Sequence, residues 1–220
     1  MIVDSMTHEE VYQELERDRE AVTLWWWHQK VAMRRRVLKC TKFPMSMWFE
    51  YTSPRKNRYL IQTRIFDKRM KHILTGALVL RWMRDGITVY TTWVGFQQLI
   101  SPMVLVPHMF HRYAERAGIN KTGIDLIKHY FEHNPHGEDS QNQKVVGRSV
   151  RYNGEEHQSC CVNDGVVLGQ NQDGIYIVRT FITYDMCTGF QKEHFGQKRE
   201  NILTDEELYK KAKQHYKDEL

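Results

Sequence analysis

The chain is poor in cysteine: its 220 residues hold four, Cys40, the adjacent pair Cys160 and Cys161, and Cys187. There is no CxxC, and neighbouring residues of a strand point to opposite faces, so neither a zinc ribbon nor a disulfide framework is expected. Reduced thiols in an intracellular, cytoplasmic protein are the expectation. Long apolar runs are missing too. "ILTGALVL", at 73–80, is strand-sized, far below the roughly 20 residues that span a bilayer, so no membrane span is expected. The start, "MIVDSMTHEE", lacks the basic-then-apolar pattern of a secretory leader. The final letters KDEL match an ER-retrieval address, which is read only in a lumen this chain has no evident route to; they are taken as the end of a charged surface helix that opens with Thr204 and Glu207. A Walker loop, GxGxxG, GxSxG, HExxH and an EF-hand loop are all absent. Nucleotide-fold, hydrolase-elbow and common metal chemistries therefore have no support, and no cofactor is expected.

What is present is a globular composition, 41% apolar and 12% aromatic, with an uneven charge. The net charge is +5, yet residues 17–71 hold 15 Lys/Arg against 4 Asp/Glu, which is +11 and leaves −6 for the rest. A basic region of this kind favours a polyanionic partner, RNA or another polyanion, or an acidic protein.

The periodicities predict an α+β protein. Thr7 and Glu10 form a capping box, and Val11, Leu15, Val22 and Trp25 or Trp26 continue at helical spacing, so a long first helix runs to about Lys39. Strand patterns follow in "MSMWFEYTS" and "RYLIQTRIF", then in "ALVLRWM" and "ITVYTTW" around the hairpin signal Asp85-Gly86. Pro107 opens a short helix that Gly118 stops, and "KTGIDLIKHYFEH" makes another. After a polar stretch at 134–143 come four strands punctuated by Asn153-Gly154, Asp164-Gly165 and Asp173-Gly174, an antiparallel meander. One domain, 1–220, is expected: an antiparallel sheet packed against the long helix and two short central ones. A subdivision into a basic region, 1–95, and a helix-plus-meander region, 106–220, is the alternative.

Four groups of residues are candidates for chemistry. On the helix from Pro107, His108, Arg112, Glu115 and Arg116 share a face, with His111 nearby. A first-turn histidine meets the positive end of the helix dipole, and two arginines four apart suit a phosphate; a solvated face with Glu115 pairing an arginine is the plainer reading. In "IYIVRTFITYD", strict alternation places Arg179 in an apolar row on a strand covered on both sides. An internal ion pair or an anionic ligand would have to compensate it, and Thr180, Thr183 and Tyr184 supply hydroxyls beside it. His129, His133 and His136 have spacing that two-histidine metal sites use, against a helix end where His129 and His133 complement the C-terminal dipole; no metal is expected. The basic, aromatic N-terminal third is the fourth group. Arg34, Arg35, Arg36, Arg55, Lys56 and Arg58, interleaved with tryptophans, suit single-stranded nucleic acid, against core tryptophans beside a solvated face.

"HMFHRYAERAGI" followed by a meander ending in "IVRTFITY" resembles the barnase/RelE-like ribonuclease toxins over about residues 106–185. The resemblance implies metal-independent endoribonuclease activity by 2′-OH attack on the adjacent phosphate. His108 is then the general base, Arg112 and Arg179 stabilise the phosphorane, Thr183 or Tyr184 orients it, and His111 is the reserve acid. Arg116 joins the N-terminal cations as an RNA contact. The alternative is a non-catalytic module that binds nucleic acid or an acidic partner through its basic aromatic region.

Overall fold

A computed structural model describes residues 1–70, 73–92, 94, 103–134, 150–152, 155–199, 202 and 207. Among them are four α-helices and nine strands, an α+β fold whose strand pairings are mostly antiparallel. The residues form two compact units. The first draws on Met1–Val79, Thr91–Ile100 and Leu203–Leu220, the second on Leu80–Tyr90 and Ser101–Ile202. His136, the Asn153-Gly154 turn, most of the stretch 134–143 and nearly all of the C-terminal helix expected from Thr204 lie outside the described residues.

The first unit is built on α1 (His8–Lys39) and the hairpin of β1 (Met45–Thr52) and β2 (Arg58–Ile65). The capping box forms as its sequence requires: the Glu10 amide donates to Thr7 Oγ1, and the Thr7 amide donates to the Glu10 carboxylate at 2.7 Å. Val11, Leu15, Val22, Trp26, Met33 and Val37 turn one face of α1 into the core. The helix and the hairpin are tied by polar groups as well. Asp18, buried, accepts from Ser53 Oγ at 2.6 Å, Asn57 Nδ2 at 2.6 Å and the Tyr59 hydroxyl at 3.0 Å. Glu14 takes a two-pronged pair from Arg55, with Nε and Nη2 each at 2.7 Å. Of the three consecutive tryptophans, Trp26 is buried and donates to Thr63 Oγ1 at 3.3 Å, Trp25 stacks on Tyr51 at 4.5 Å, and Trp27 is exposed.

β3 (Ile73–Met83) and β4 (Gly86–Thr92) each contribute residues to both units. In the second unit, β4 is followed across the sheet by β5 (Met103–Leu105), β9 (Ile175–Thr183), β8 (Gly165–Gln172), β7 (Glu155–Val162) and β6 (Val150–Tyr152). β5 and β9 run parallel, while β6 to β9 form the antiparallel meander. α2 (Pro107–Ala117) packs on β9 and against α3 (Gly123–His133), and α4 (Phe190–Arg199) follows the 3-10 turn Tyr184–Met186. Pro107 begins α2, and Gly118 ends it in the left-handed region at φ 67°.

One expectation is corrected by the register. Leu168 faces Thr180 whereas Gly169 faces Val178, so Arg179 is an extra residue, a β-bulge. The bulge resets the alternation: Ile175 to Val178 are all buried, Arg179 is exposed, and Phe181 is buried again. Arg179 does not sit in a covered apolar row. β8 admits the close approach because it offers glycine there. A Cβ on Gly169 would lie 2.1 Å from the Ile177 carbonyl oxygen, and one on Gly165 would lie 2.2 Å from that of Ile182.

Candidate active site

The second unit contains a cavity of about 520 Å³, within the size range of small-molecule sites. Five elements line it near their C-terminal ends. They contribute Arg116, Ala117 and Ile119 from the end of α2, His129 and His133 from α3, Asn163 and Asp164 from the β7–β8 turn, Thr183, Tyr184 and Asp185 from the exit of β9, and Arg199 from the last turn of α4.

A hydrogen-bonded chain fixes the first histidine. The Asp164 carboxylate accepts from the Tyr113 hydroxyl at 2.7 Å and from Asn134 Nδ2 at 2.8 Å, while the Asp164 amide donates to Asn134 Oδ1 at 3.0 Å. Tyr113 and Asn134 are buried, so this carboxylate is held by donors that cannot swing away. The Tyr113 oxygen also lies 3.2 Å from His129 Nδ1. With its own proton given to Asp164, that oxygen accepts from Nδ1–H, and Nε2 is left as the basic atom of His129. Burial raises Tyr113 far above the ordinary phenol range, with the Asp164 hydrogen bond adding to it, so the bridge stays protonated. His129 itself is lowered, first by burial and then by charge on His133 and Lys121, against a smaller opposite pull from Asp164 and Glu132. It is a neutral imidazole at neutral pH.

His133 stacks on His129 with ring centres 4.0 Å apart and planes 13° from parallel. Its Nδ1 donates to the His129 carbonyl at 2.9 Å, because a carbonyl can only accept, and so its Nε2 is also the open nitrogen. The His133 carbonyl in turn accepts from Asn163 Nδ2 at 2.6 Å. Two guanidinium groups complete the lining. Arg116 Nη1 donates to the Phe181 carbonyl, which fixes it at the end of β9, and the Arg199 guanidinium lies 4.6 Å from the centre of the Tyr184 ring. The Tyr184 hydroxyl donates to the Val162 carbonyl at 2.7 Å. Such a lining can move a proton at two imidazole nitrogens and balance negative charge with two arginines.

Of the residues expected from the sequence, the cavity brings together Arg116, Thr183 and Tyr184 and adds His129 and His133 from the histidine group. His108, exposed on α2, accepts from Arg112 Nε at 3.4 Å, and Arg112 Nη1 pairs with Glu115 at 2.7 Å. His111 is exposed near Gly86 at the start of β4, and Arg179 is exposed on its bulge. None of these four lines the cavity. In the first unit Arg34, Arg35, Arg36, Lys56 and Arg58 are exposed, and Arg55 is committed to Glu14. Tyr113, Asn134, Asp164, Asp185 and Arg199 are the residues sequence reasoning missed. Their one visible signal was Asp164, which read only as half of an Asp164-Gly165 turn; the turn residues are Asn163 and Asp164, one position earlier, because Gly165 already pairs with Val162.

The cysteines supply no nucleophile here. All four are free, and burial raises the Cys160 thiol to about 12 and that of Cys161 to about 11. Among the described residues no group of three or more His, Cys, Asp or Glu is placed to hold a metal ion, and no helix is long and apolar enough to cross a membrane. No protein-family model, curated protein or solved structure matches the chain. Fold and site together define an α+β protein with an imidazole and guanidinium pocket at one end of a bulged antiparallel meander.

Proposed function

We propose that the second unit is a metal-independent endoribonuclease whose working histidines are His129 and His133. The observation that carries this reading is the Asp164–Tyr113–His129 chain, which leaves a neutral Nε2 in a cavity that also holds a second open imidazole and two arginines. His129 Nε2 takes the proton of a ribose 2′-OH as the 2′ oxygen forms its bond to phosphorus. The bond from phosphorus to the 5′ oxygen breaks, and that oxygen takes the proton on Nε2 of a protonated His133. The products are a 2′,3′-cyclic phosphate and a 5′-hydroxyl. Arg116 and Arg199 stabilise the phosphorane between these steps, and Thr183 orients it. Charge on His133 disfavours charge on His129, so one ring serves as acid while its neighbour is base. A cytoplasmic site of action suits the free thiols.

The test is end-labelled RNA incubated in EDTA with the wild-type chain and with His129→Ala, His133→Ala and His108→Ala. Positioned acid–base groups are worth about 100 to 10,000-fold each, so the first two variants should lose cleavage to cyclic phosphate on that scale while His108→Ala keeps it. DNA of the same sequence, lacking the 2′-OH, should stay intact. Loss in His108→Ala alone would move the base to α2. Intact RNA in every lane would leave the non-catalytic binding module, with Arg34, Arg35 and Arg36 as the cations to replace.

A further inference from the structure

His129 and His133 stand four residues apart on α3, the spacing at which one helix face brings two imidazoles to a single metal ion. Each ring already spends its Nδ1 on an anchor. That of His129 is the Tyr113 hydroxyl, which Asp164 holds, and that of His133 is the His129 carbonyl. Metal-ligating histidines are braced in this way, the far nitrogen donating to a carboxylate or a backbone carbonyl so that the near one is aimed; here a phenol stands between ring and carboxylate. Both Nε2 atoms are open, on rings whose centres lie 4.0 Å apart. Chelation asks only that the stacked planes splay until both Nε2 atoms converge on one ion at about 2.0–2.1 Å. The wall around them admits a dication, because Arg116 and Arg199 are matched by the carboxylates of Asp164 and Asp185.

We propose that His129 and His133 form a reversible site for a transition-metal dication of the Zn²⁺ class, with water filling the remaining positions. Imidazole suits Zn²⁺, Ni²⁺ and Cu²⁺, whereas Mg²⁺ and Ca²⁺ take oxygen ligands, so the site discriminates against the alkaline earths. Two protein nitrogens are fewer than the three or four ligands of a resident zinc, and among the described residues no group of three His, Cys, Asp or Glu is placed for one, so the ion exchanges. The site rests on the geometry of α3 and its anchors. One consequence rests on the ribonuclease reading: an ion on both Nε2 atoms occupies the nitrogens that take and deliver the proton, so Zn²⁺ stops cleavage and EDTA restores it.

The test is Zn²⁺ titrated into the full chain against a chromophoric chelator, in a Cys40→Ser background that removes the least buried thiol. One equivalent should bind, and excess Mg²⁺ should not displace it. His129→Ala and His133→Ala should each weaken binding by at least roughly tenfold, and Tyr113→Phe, which removes only an anchor, by about 10 to 100-fold. His133 is exposed, so its replacement spares the core. His108→Ala with His111→Ala should leave binding unchanged. Saturating Zn²⁺ should raise the thermal midpoint of the parent chain and not that of His133→Ala, since only a folded α3 presents both nitrogens. No bound equivalent at sub-millimolar Zn²⁺, or one that survives in both single-histidine variants, overturns the proposal. RNA cleavage that continues with the site saturated overturns the inhibition; a chain that cleaves no RNA removes the ribonuclease reading, and the titration still decides the metal site.

Discussion

Replacing Tyr113 by Phe keeps the ring that meets Tyr130 and Phe181 edge-on at 5.0 Å and removes only the hydroxyl between Asp164 and His129. Asn134 still satisfies Asp164, so the fold should survive, while His129 loses the acceptor that fixes its tautomer. RNA cleavage by Tyr113→Phe should fall by at least roughly tenfold, about 1.4 kcal/mol of transition-state stabilisation. The acidic limb of its pH profile should move, which a merely structural role would not cause. The lowered His129 has a second consequence. Below the ordinary histidine value of 6.5 the unfolded chain takes up the proton before the folded one does, so this group's contribution to stability is complete above that value and declines as pH drops below it. Thermal melts of His129→Gln should lack that part of the slope. Glu14 acts with the same sign at lower pH in the first unit: the Arg55 hydrogen bonds, with the N-terminal ammonium beside them, outweigh burial and hold its carboxyl at about 2 rather than 4.5. Its stabilisation is present above 4.5 and is lost as pH falls towards 2, so acid titration of Glu14→Gln should start from a lower stability and show a shallower decline over that window.

At the scale of elements, what could be read in the sequence was whatever rests on local chemistry. Thr7 and Glu10 cap α1, Pro107 and Gly118 bound α2, and two-residue turns joined β7, β8 and β9, because each signal lies within a few residues of its effect. Arg179 was misplaced for a physical reason. Alternation assumes an unbroken period of two, and a bulge is set by the partner strand, here by the room Gly169 leaves on β8. Gly169→Ala must push a Cβ against the Ile177 carbonyl at 2.1 Å, so β9 has to shift. The expected cost is about 1–3 kcal/mol, read as a lowered midpoint in thermal unfolding. Gly76→Ala is the control, since a Cβ there meets nothing within 4 Å, and it should be neutral or slightly stabilising.

At the scale of the whole molecule, the pocket escaped the sequence because its residues span Arg116 to Arg199 and no two contributing elements share a motif. Sequence reasoning found histidines and arginines in plenty but ranked them by local pattern, which favoured α2 over α3. The same long-range construction governs what can be cut from the chain. The second unit is not one continuous segment, because it takes Leu80–Tyr90 from before the first unit's Thr91–Ile100. Val89 and Tyr90 of β4 pair with Leu105 and Val104 of β5, and all four side chains are buried. A fragment of residues 101–202 would keep every group that lines the pocket yet leave Val104 and Leu105 uncovered, at a cost of about 1.5–3 kcal/mol for each side chain, and would open the β5 edge to solvent. Against a typical domain stability of roughly 5–15 kcal/mol that is a large fraction, so this fragment should show poor near-ultraviolet dichroism and no cooperative melt. Beginning the fragment at Leu80 restores β4 and should restore both signals; a cooperative, pocket-competent 101–202 fragment would mean that β5 and β9 hold the unit together without β4.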